Sequence, residues 1–139
     1  MTEQPAGPPA VAVPADAWRR RAAKVPGSRV ALITDDTLAG ADLYTVVNVL
    51  EPGATIPLHW HSVGELQFVL AGHGLFLDAA GGEAPLSPHD SVFSPPGPAG
   101  AHGFRNPGHL PLALLCVYPS PGGRAPDIQW VTSLVEDMP

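Results

Sequence analysis

Proline and glycine interrupt this chain so often that its sequence disfavours long helices. Eighteen prolines and fifteen glycines are spread along 139 residues. Proline lacks the backbone donor that a helix interior needs, and glycine loses more conformational freedom on folding than any other residue. The segments between them are rich in β-branched and apolar side chains, which favour extended structure. The sequence therefore predicts short strands joined by tight turns.

Nine segments have the composition of strands, and turn residues separate them at regular intervals. Short antiparallel strands at such spacing are typical of an all-β sandwich or jelly-roll barrel. One further segment, 128–135, is too short for its periodicity to distinguish a strand from a helix. The nine predicted strands are 29–34, 42–50, 56–61, 65–71, 74–78, 83–86, 91–95, 102–106 and 111–119.

The length of the chain suits one domain. Residues 1–17 are rich in proline and small side chains and have no amphipathic pattern, which is typical of a poorly ordered segment. We therefore expect a flexible, proline-rich arm over 1–17 and a single domain over 18–139.

The formal net charge of −6 argues against a nucleic-acid partner, because phosphate contacts need a basic surface. Five of the seven basic residues nevertheless cluster within eleven positions. A cluster of this kind usually faces water, so we interpret it as a solvated edge or arm, with a partner-binding patch as the alternative. Its members are Arg19, Arg20, Arg21, Lys24 and Arg29.

A single cysteine, Cys116, makes an internal disulfide impossible and favours a reducing compartment. It lies in the longest apolar run, 110–118, where a buried and inert thiol is expected. That run is far shorter than the ~20 residues that a membrane helix needs. Because the N-terminal residues also lack the pattern of a secretory signal, we predict a cytoplasmic protein without a membrane partner.

Two histidines and a glutamate stand close together in a strand-like segment. Side chains two residues apart on a strand lie on one face, so His59 and His61 share a face with Pro57, and Trp60 takes the other. A three-residue turn then returns Glu65 alongside them. Two imidazoles and a carboxylate can share one divalent metal and leave coordination positions open. The alternative is a pair of surface histidines beside an exposed glutamate.

The intervals around these residues resemble the first motif of the cupin family. Gly53, His59, His61, Glu65 and Gly72 are separated by five, one, three and six residues, as in that motif. The resemblance covers about residues 30 to 120 and implies a cupin-type jelly-roll β-barrel.

The second cupin motif is also matched, with two departures. Pro95 and Gly97 stand in its turn, His102 stands at its histidine and Asn106 follows four residues later. His89 replaces the usual glycine of an earlier turn, and two extra residues precede His102. The insertion changes the loop that leads to the histidine. The ligand set that the resemblance implies for one divalent Fe, Mn, Ni, Cu or Zn ion is His59, His61, Glu65 and His102.

Further residues are candidates for the cavity of such a barrel. Phe104 shares the strand phase of His102, and Gln67 and Val69 share that of Glu65. The amide of Gln67 could hold the carboxylate or a ligand, or could be satisfied by neighbouring backbone. No arginine lies on a clearly inward face, and Arg105 should point outward. Residues whose facing the sequence leaves open are Tyr44, Asn48 and Tyr118. The candidates for catalysis are Glu65, Gln67, Tyr44 and Tyr118.

The remaining histidines, His73, His89 and His109, lie in turns and are expected to be exposed. An apolar interior suits a small organic substrate that binds the metal through oxygen. The resemblance implies a metal-dependent enzyme, with a dioxygenase-type oxidoreductase favoured over a non-redox cyclase, isomerase or lyase, and with a non-catalytic ligand-binding protein as the third alternative. A short sandwich with an apolar C-terminal strand has edges to protect, and pairing of two subunits across such edges is common, so we predict a homodimer.

Overall fold

The computed structural model describes residues 6–131 and shows two antiparallel sheets. The predicted all-β fold is confirmed. All nine predicted strands form, with ends within one residue of their predicted positions. The strands are β1 (Arg19–Arg21), β2 (Ser28–Thr34), β3 (Leu43–Leu50), β4 (Thr55–Trp60), β5 (Glu65–Ala71), β6 (Gly74–Asp78), β7 (Glu83–Leu86), β8 (Ser91–Ser94), β9 (His102–Arg105), β10 (Leu112–Pro119) and β11 (Gln129–Trp130).

The first sheet has the order β1-β2-β3-β10-β5-β8, and the second has the order β11-β4-β9-β6-β7. Their inner faces pack on one core, in which Leu50, Leu112 and Leu114 are fully buried. The apolar strand β10 lies inside the first sheet, between β3 and β5, and the edges of the two sheets are formed by other strands. Its alternating side chains are buried because they face the core between the two sheets.

The β4 strand departs from the simple alternation predicted for it. Ile56 pairs with Phe104 and His59 with His102, so three steps along β4 match two steps along β9. Proline has no N–H to offer the ladder, and the strand bulges where Pro57 stands. Pro57 is consequently exposed, which corrects the prediction that it shares a face with His59. The bulge lets both Ile56 and His59 turn inward.

The turn between β7 and β8 shows how the chain accommodates His89 in place of a glycine. His89 has a φ of 77°, the left-handed region, and is the one non-glycine residue with a positive φ in the part of the chain that the structure describes. Its ring stacks on Phe68, with 5.9 Å between ring centroids. The turn therefore keeps the conformation that a glycine would adopt, at a backbone cost of roughly 1–2 kcal/mol.

Asn106 ties three segments of the chain together at the end of β9. Its side-chain amide donates to the carbonyl oxygens of Leu50 and Leu110, and its oxygen accepts from the N–H of Gly108. Its backbone oxygen accepts from the N–H of Gly53. The asparagine is fully buried, and these bonds satisfy its polar atoms.

The two ends of the described chain bear on two further predictions. Residues 6–14 form no helix or strand, and a short 3-10 turn, Ala15–Ala17, precedes β1. The flexibility of the arm over 1–17 stays a prediction. The segment 128–135 forms a strand at β11, and its residues 132–135 lie outside the described residues. None of the described helices has the length and apolar character needed to cross a membrane.

Candidate metal centre

Four buried side chains converge between the two sheets. One ligand atom from each of four residues lies within 4.8 Å of the others. β4 supplies the first histidine, the turn after it the second, and the starts of β5 and β9 the other two side chains. The four residues, all less than 8 % exposed, are His59, His61, Glu65 and His102.

Backbone carbonyls fix the orientation of all three imidazoles. The Nδ1 atom of His59 lies 2.8 Å from the oxygen of Pro57, and that of His102 lies 2.9 Å from the oxygen of Gly100. The Nδ1 atom of His61 lies 2.6 Å from the oxygen of residue 127. A carbonyl oxygen only accepts, so each Nδ1 carries the proton and donates it. In the neutral rings, each Nε2 therefore presents a lone pair, as a metal ligand must.

Glu65 completes the set and places a buried carboxylate between two of the imidazoles. Its Oε1 lies 3.1 Å from Nε2 of His61 and 2.9 Å from Nε2 of His102. With the Nδ1 protons in place, neutral rings would point lone pairs at a carboxylate. Nε2 of His61 is buried and has no well-aligned hydrogen bond to any described residue. A divalent metal at the centre would satisfy all four groups, so the residues fit such an ion.

The electrostatics favour the metal-binding forms of His59 and Glu65. Burial, followed by the neighbouring charge of His102, lowers the pKa of His59 to about 4. Burial by itself would raise the pKa of Glu65, but its contacts with Nε2 of His102 and of His61, in the ring forms that carry a proton on Nε2, outweigh it and lower that pKa to about 2. Near neutral pH, His59 is therefore neutral and Glu65 ionised, which are the states that a metal ion needs. Burial by itself would lower the pKa of His61, but hydrogen bonds to Glu65 and Asp127 outweigh it and raise that pKa, so a metal that binds must displace a proton there.

The extra residues before His102 form a compact turn that serves the site. Pro98–Gly100 is a 3-10 turn, and the N–H of Gly97 donates to the oxygen of His61 over 2.9 Å. Gly100 supplies the oxygen that orients His102. A Cβ at Gly100 would stand 2.0 Å from the oxygen of Pro95, so only glycine fits. The loop geometry thus changes, while the histidine reaches the cluster.

Asp127 is a functional candidate that the sequence reasoning missed. Its backbone oxygen accepts from His61, and its carboxylate accepts from the N–H and the hydroxyl of Ser62. These hydrogen bonds with Ser62 lower the pKa of Asp127 to about 2. The residue lies more than sixty positions from the histidine it orients. No local motif could have indicated this contact.

An open cavity extends from the four side chains. Tyr44, Asn48, Phe104 and Tyr118 line it together with the four candidate ligands. The Oδ1 atom of Asn48 is buried and has no hydrogen-bond partner among the described residues. The other lining side chains are mainly apolar and include Val30, Val46, Ile56, Leu114, Ile128 and Trp130.

Two candidates for the cavity lie behind its wall. Gln67 is buried and exchanges hydrogen bonds of 3.2 and 3.3 Å with the hydroxyl of Ser94. Val69 packs within the apolar core. Neither residue is among those that line the cavity in the described part of the chain. The cysteine, Cys116, does line it, and burial raises the pKa of its thiol well above the ordinary value, so it stays protonated.

The basic cluster contributes to this cavity, which the sequence did not indicate. Arg20 is exposed, whereas Arg21 turns toward the cavity and donates from Nη1 to the hydroxyl of Tyr44. The expectation that no arginine faces inward is therefore wrong. Three arginines in succession gave no apolar alternation from which β1 and its facing could be predicted. Arg105 points outward, as expected, and pairs with Glu83.

The three histidines assigned to turns, His73, His89 and His109, are exposed in the structure. They lie apart from the cluster of candidate ligands. The metal centre therefore uses three of the six histidines in the chain.

Comparisons with known proteins agree with this architecture. A polyketide cyclase, RemF, from Streptomyces resistomycificus matches at a TM-score of 0.72 and 22% identity, covering 88% of this chain and 85% of that one. A sugar phosphate isomerase of the cupin superfamily from Silicibacter pomeroyi matches at 0.65 and 26%, covering 78% and 75%. An oxalate decarboxylase from Bacillus subtilis matches at 0.63 and 21%, covering 84% of this chain and 31% of its own.

A sequence comparison with curated proteins found no significant match. A family model described as a cupin domain matches residues 46–118, which is more than half of the chain. This range contains both motifs, all four candidate metal ligands and the strands that position them. The chain therefore belongs to the cupin domain family.

Proposed function

We propose that this protein is a metal-dependent cyclase, isomerase or lyase that acts on a small organic substrate without oxidising it. The observation that carries the proposal is the position of the four candidate ligands at the inner end of a mainly apolar cavity, beside a phenol that stays protonated. A substrate with a carbonyl or enol oxygen can bind at the metal while its carbon skeleton packs against apolar side chains.

His59, His61, Glu65 and His102 would hold the ion. When bound, a divalent metal supplies a positive charge that polarises a substrate carbonyl. The carbonyl oxygens behind the imidazoles keep the three rings in place, so the ligands need no reorganisation when the metal binds. This preorganisation favours a fixed position for the substrate oxygen.

Tyr118 is the side chain best placed to assist the reaction. Its ring lies 5.1 Å from that of His61, and it lines the cavity. Burial, followed by the negative charge of Glu65, raises the pKa of Tyr118 well above its ordinary value. The phenol therefore keeps its proton and can donate a hydrogen bond to an oxygen on which negative charge develops, as when an enolate forms.

Asn48 would orient the part of the substrate that lies away from the metal. Its buried Oδ1 lacks a hydrogen-bond partner among the described residues, and a substrate hydroxyl could provide one. Ile56 and Phe104, which pair across β4 and β9 and also line the cavity, exclude water from the apolar part. These residues select for a molecule with few charges near the metal.

The similar structures support the non-redox proposal over the oxygenase that the sequence favoured. The names of two of them describe a cyclase and an isomerase, and neither is named as an oxygenase, whereas a matched oxalate decarboxylase structure is described by its proton-coupled electron transfer and favours neither choice. The oxygenase remains the second candidate, because three nitrogens and one carboxylate oxygen also suit Fe²⁺. The two candidate functions differ in the metal that supports turnover and in whether dioxygen is consumed.

Anaerobic reconstitution tests the choice. Metal-free protein is loaded with Zn²⁺ or Fe²⁺ in the absence of oxygen. It is then incubated in air-saturated buffer with a panel of linear and aromatic β-polyketones, while mass spectrometry follows products and an electrode follows oxygen. We expect the zinc form to yield products with the substrate's mass, or that mass less water, without oxygen uptake. Turnover by the iron form alone, with oxygen consumed and incorporated, would establish the oxygenase instead. Binding without turnover by either form would indicate a ligand-binding protein.

The homodimer and the cytoplasmic location also remain proposals. The edge strand β8 carries Phe93, which is 67% exposed and pairs with Leu66, itself 44% exposed. A second copy that covers this apolar edge would remove both side chains from water. Sedimentation of the protein as a monomer at micromolar concentration would contradict the dimer.

A further inference from the structure

One wall of the cavity carries a row of side chains that leads from the metal centre to a positive charge. The ring of Tyr118 lies 5.1 Å from that of His61, and the ring of Tyr44 lies 5.9 Å from that of Tyr118. The guanidinium carbon of Arg21 lies 5.5 Å from the centroid of the Tyr44 ring. These side chains place a cation at the end of the row opposite the metal ligands.

The charge of Arg21 has no carboxylate partner in the described part of the chain. Two arginines near it in the chain do have such partners, since Arg19 pairs with Asp35 and Arg29 with Glu51. Arg21 instead donates to the phenol of Tyr44, which is neutral near pH 7 because burial raises its pKa. An arginine that meets only neutral groups keeps its full charge available to a ligand.

The surroundings of Arg21 make an anion the natural occupant. Val25 and Val30 line the cavity beside it, and Arg21 itself is half-buried. A charge that is partly removed from water gains most from an opposite charge close to it. Lys24 also lines the cavity and adds a second positive charge, although its side chain is exposed.

We propose that Arg21 determines specificity by binding a carboxylate at the end of the substrate that lies away from the metal. The inference rests on the proposed function, because it takes the other end of the substrate to be oxygens bound at the metal centre. The guanidinium presents a planar fork of donors, and the bond to Tyr44 uses one of its nitrogens. A carboxylate matches the remaining donors in shape and charge. The substrate class is then an organic acid with a chelating keto or enol group.

Two probes that differ in one group test this assignment. Para-carboxybenzoylacetone has a chelating diketone at one end and a carboxylate at the other, and para-carbamoylbenzoylacetone replaces the carboxylate with a neutral amide. Calorimetry on the zinc-loaded wild-type protein should show the carboxylate binding about tenfold more tightly than the amide, as a charge-assisted hydrogen bond predicts. In Arg21→Gln the preference should disappear while the affinity for the amide stays close to that of the wild type.

Arg20→Gln is the matched control, because it removes the same charge from the neighbouring, exposed position on β1. It should keep the preference for the carboxylate. Arg21→Lys retains the positive charge but not the planar fork of donors, and it should keep part of the preference for the carboxylate. Thermal melting checks that each variant folds. The assignment of Arg21 would be overturned if the preference for the carboxylate persisted unchanged in Arg21→Gln, or if both probes bound the wild type equally. Either result would leave the proposed function standing. If neither probe binds the zinc-loaded wild type, the proposed function fails and takes the assignment with it.

Discussion

Replacing His102 by alanine should lower the affinity for Zn²⁺ by about 100- to 1,000-fold, because one of four ligands that share a large binding energy is lost. A competition titration against a chromogenic chelator would measure the change. His102 is the ligand that closes the set from the second motif, and its Nε2 lies 2.9 Å from Glu65. Its removal therefore leaves three ligands and also removes the contact that helps to position the carboxylate of Glu65.

The same variant should lose the stabilisation that metal binding gives the folded state. Zinc at 100 times its dissociation constant should stabilise the wild type by about 2.7 kcal/mol, which thermal melting would detect as a higher Tm. The matched control is His73→Ala, because His73 is exposed in a turn and should alter neither quantity. Equal zinc affinity in His102→Ala and His73→Ala would remove His102 from the site.

Replacing Tyr118 by phenylalanine should lower kcat by about 100-fold, the usual effect of losing one hydrogen-bond donor to a developing negative charge. The change keeps the ring that packs near His61 and removes only the hydroxyl. We therefore expect KM to change little, since the donor matters most when charge develops. Steady-state kinetics of the zinc form on a β-polyketone that the wild type converts would measure both constants.

Two controls separate a catalytic role for Tyr118 from a structural one. The zinc affinity of Tyr118→Phe should equal that of the wild type, because the phenol is not among the candidate ligands. Tyr44→Phe, which removes a hydroxyl one ring farther from the metal centre, should reduce kcat much less. A Tyr118→Phe enzyme with wild-type kcat, or one whose activity falls only in proportion to its zinc content, would contradict the proposed role.

Local patterns were enough to predict nine of the eleven described strands. In β5 the inward side chains alternate strictly with outward ones, and Glu65, Gln67 and Val69 are all buried as the period of two requires. The three residues between His61 and Glu65 form a turn short enough to return the chain directly. Ligand atoms of four residues lie within 4.8 Å of one another, and the spacing of three of them, His59, His61 and Glu65, predicted that they would lie close together, whereas His102 was implied by the resemblance to cupins.

The errors arose where the backbone breaks the simple period. Pro57 cannot donate to the ladder, so β4 bulges and the face of each residue shifts, which a pattern of alternation does not include. Similarly, β1 consists of three arginines. Its pairing with Val30, Ala31 and Leu32 depends on tertiary contacts and not on a local sequence pattern. The inward turn of Arg21 follows from that pairing and could not be predicted from charge alone.

Long-range contacts account for the rest. The oxygen of Asp127 orients His61 across sixty-six positions, and the hydroxyl of Ser94 engages Gln67 across twenty-seven. Neither pair lies within one motif or on one strand. Such partners depend on how loops pack over the barrel, which sequence periodicity does not specify.

The metal content of the protein, purified without added metal and without chelators, tests the central claim most directly. Elemental analysis should find one divalent ion per chain, and a redox-inert ion such as zinc is the result that the proposed non-redox chemistry predicts. Iron in equal amount would keep the site and favour the oxygenase. A protein that contains metal only at trace level, and that takes up none when Zn²⁺, Fe²⁺, Mn²⁺, Ni²⁺ or Cu²⁺ is supplied, would contradict the assignment of these four side chains as a metal centre.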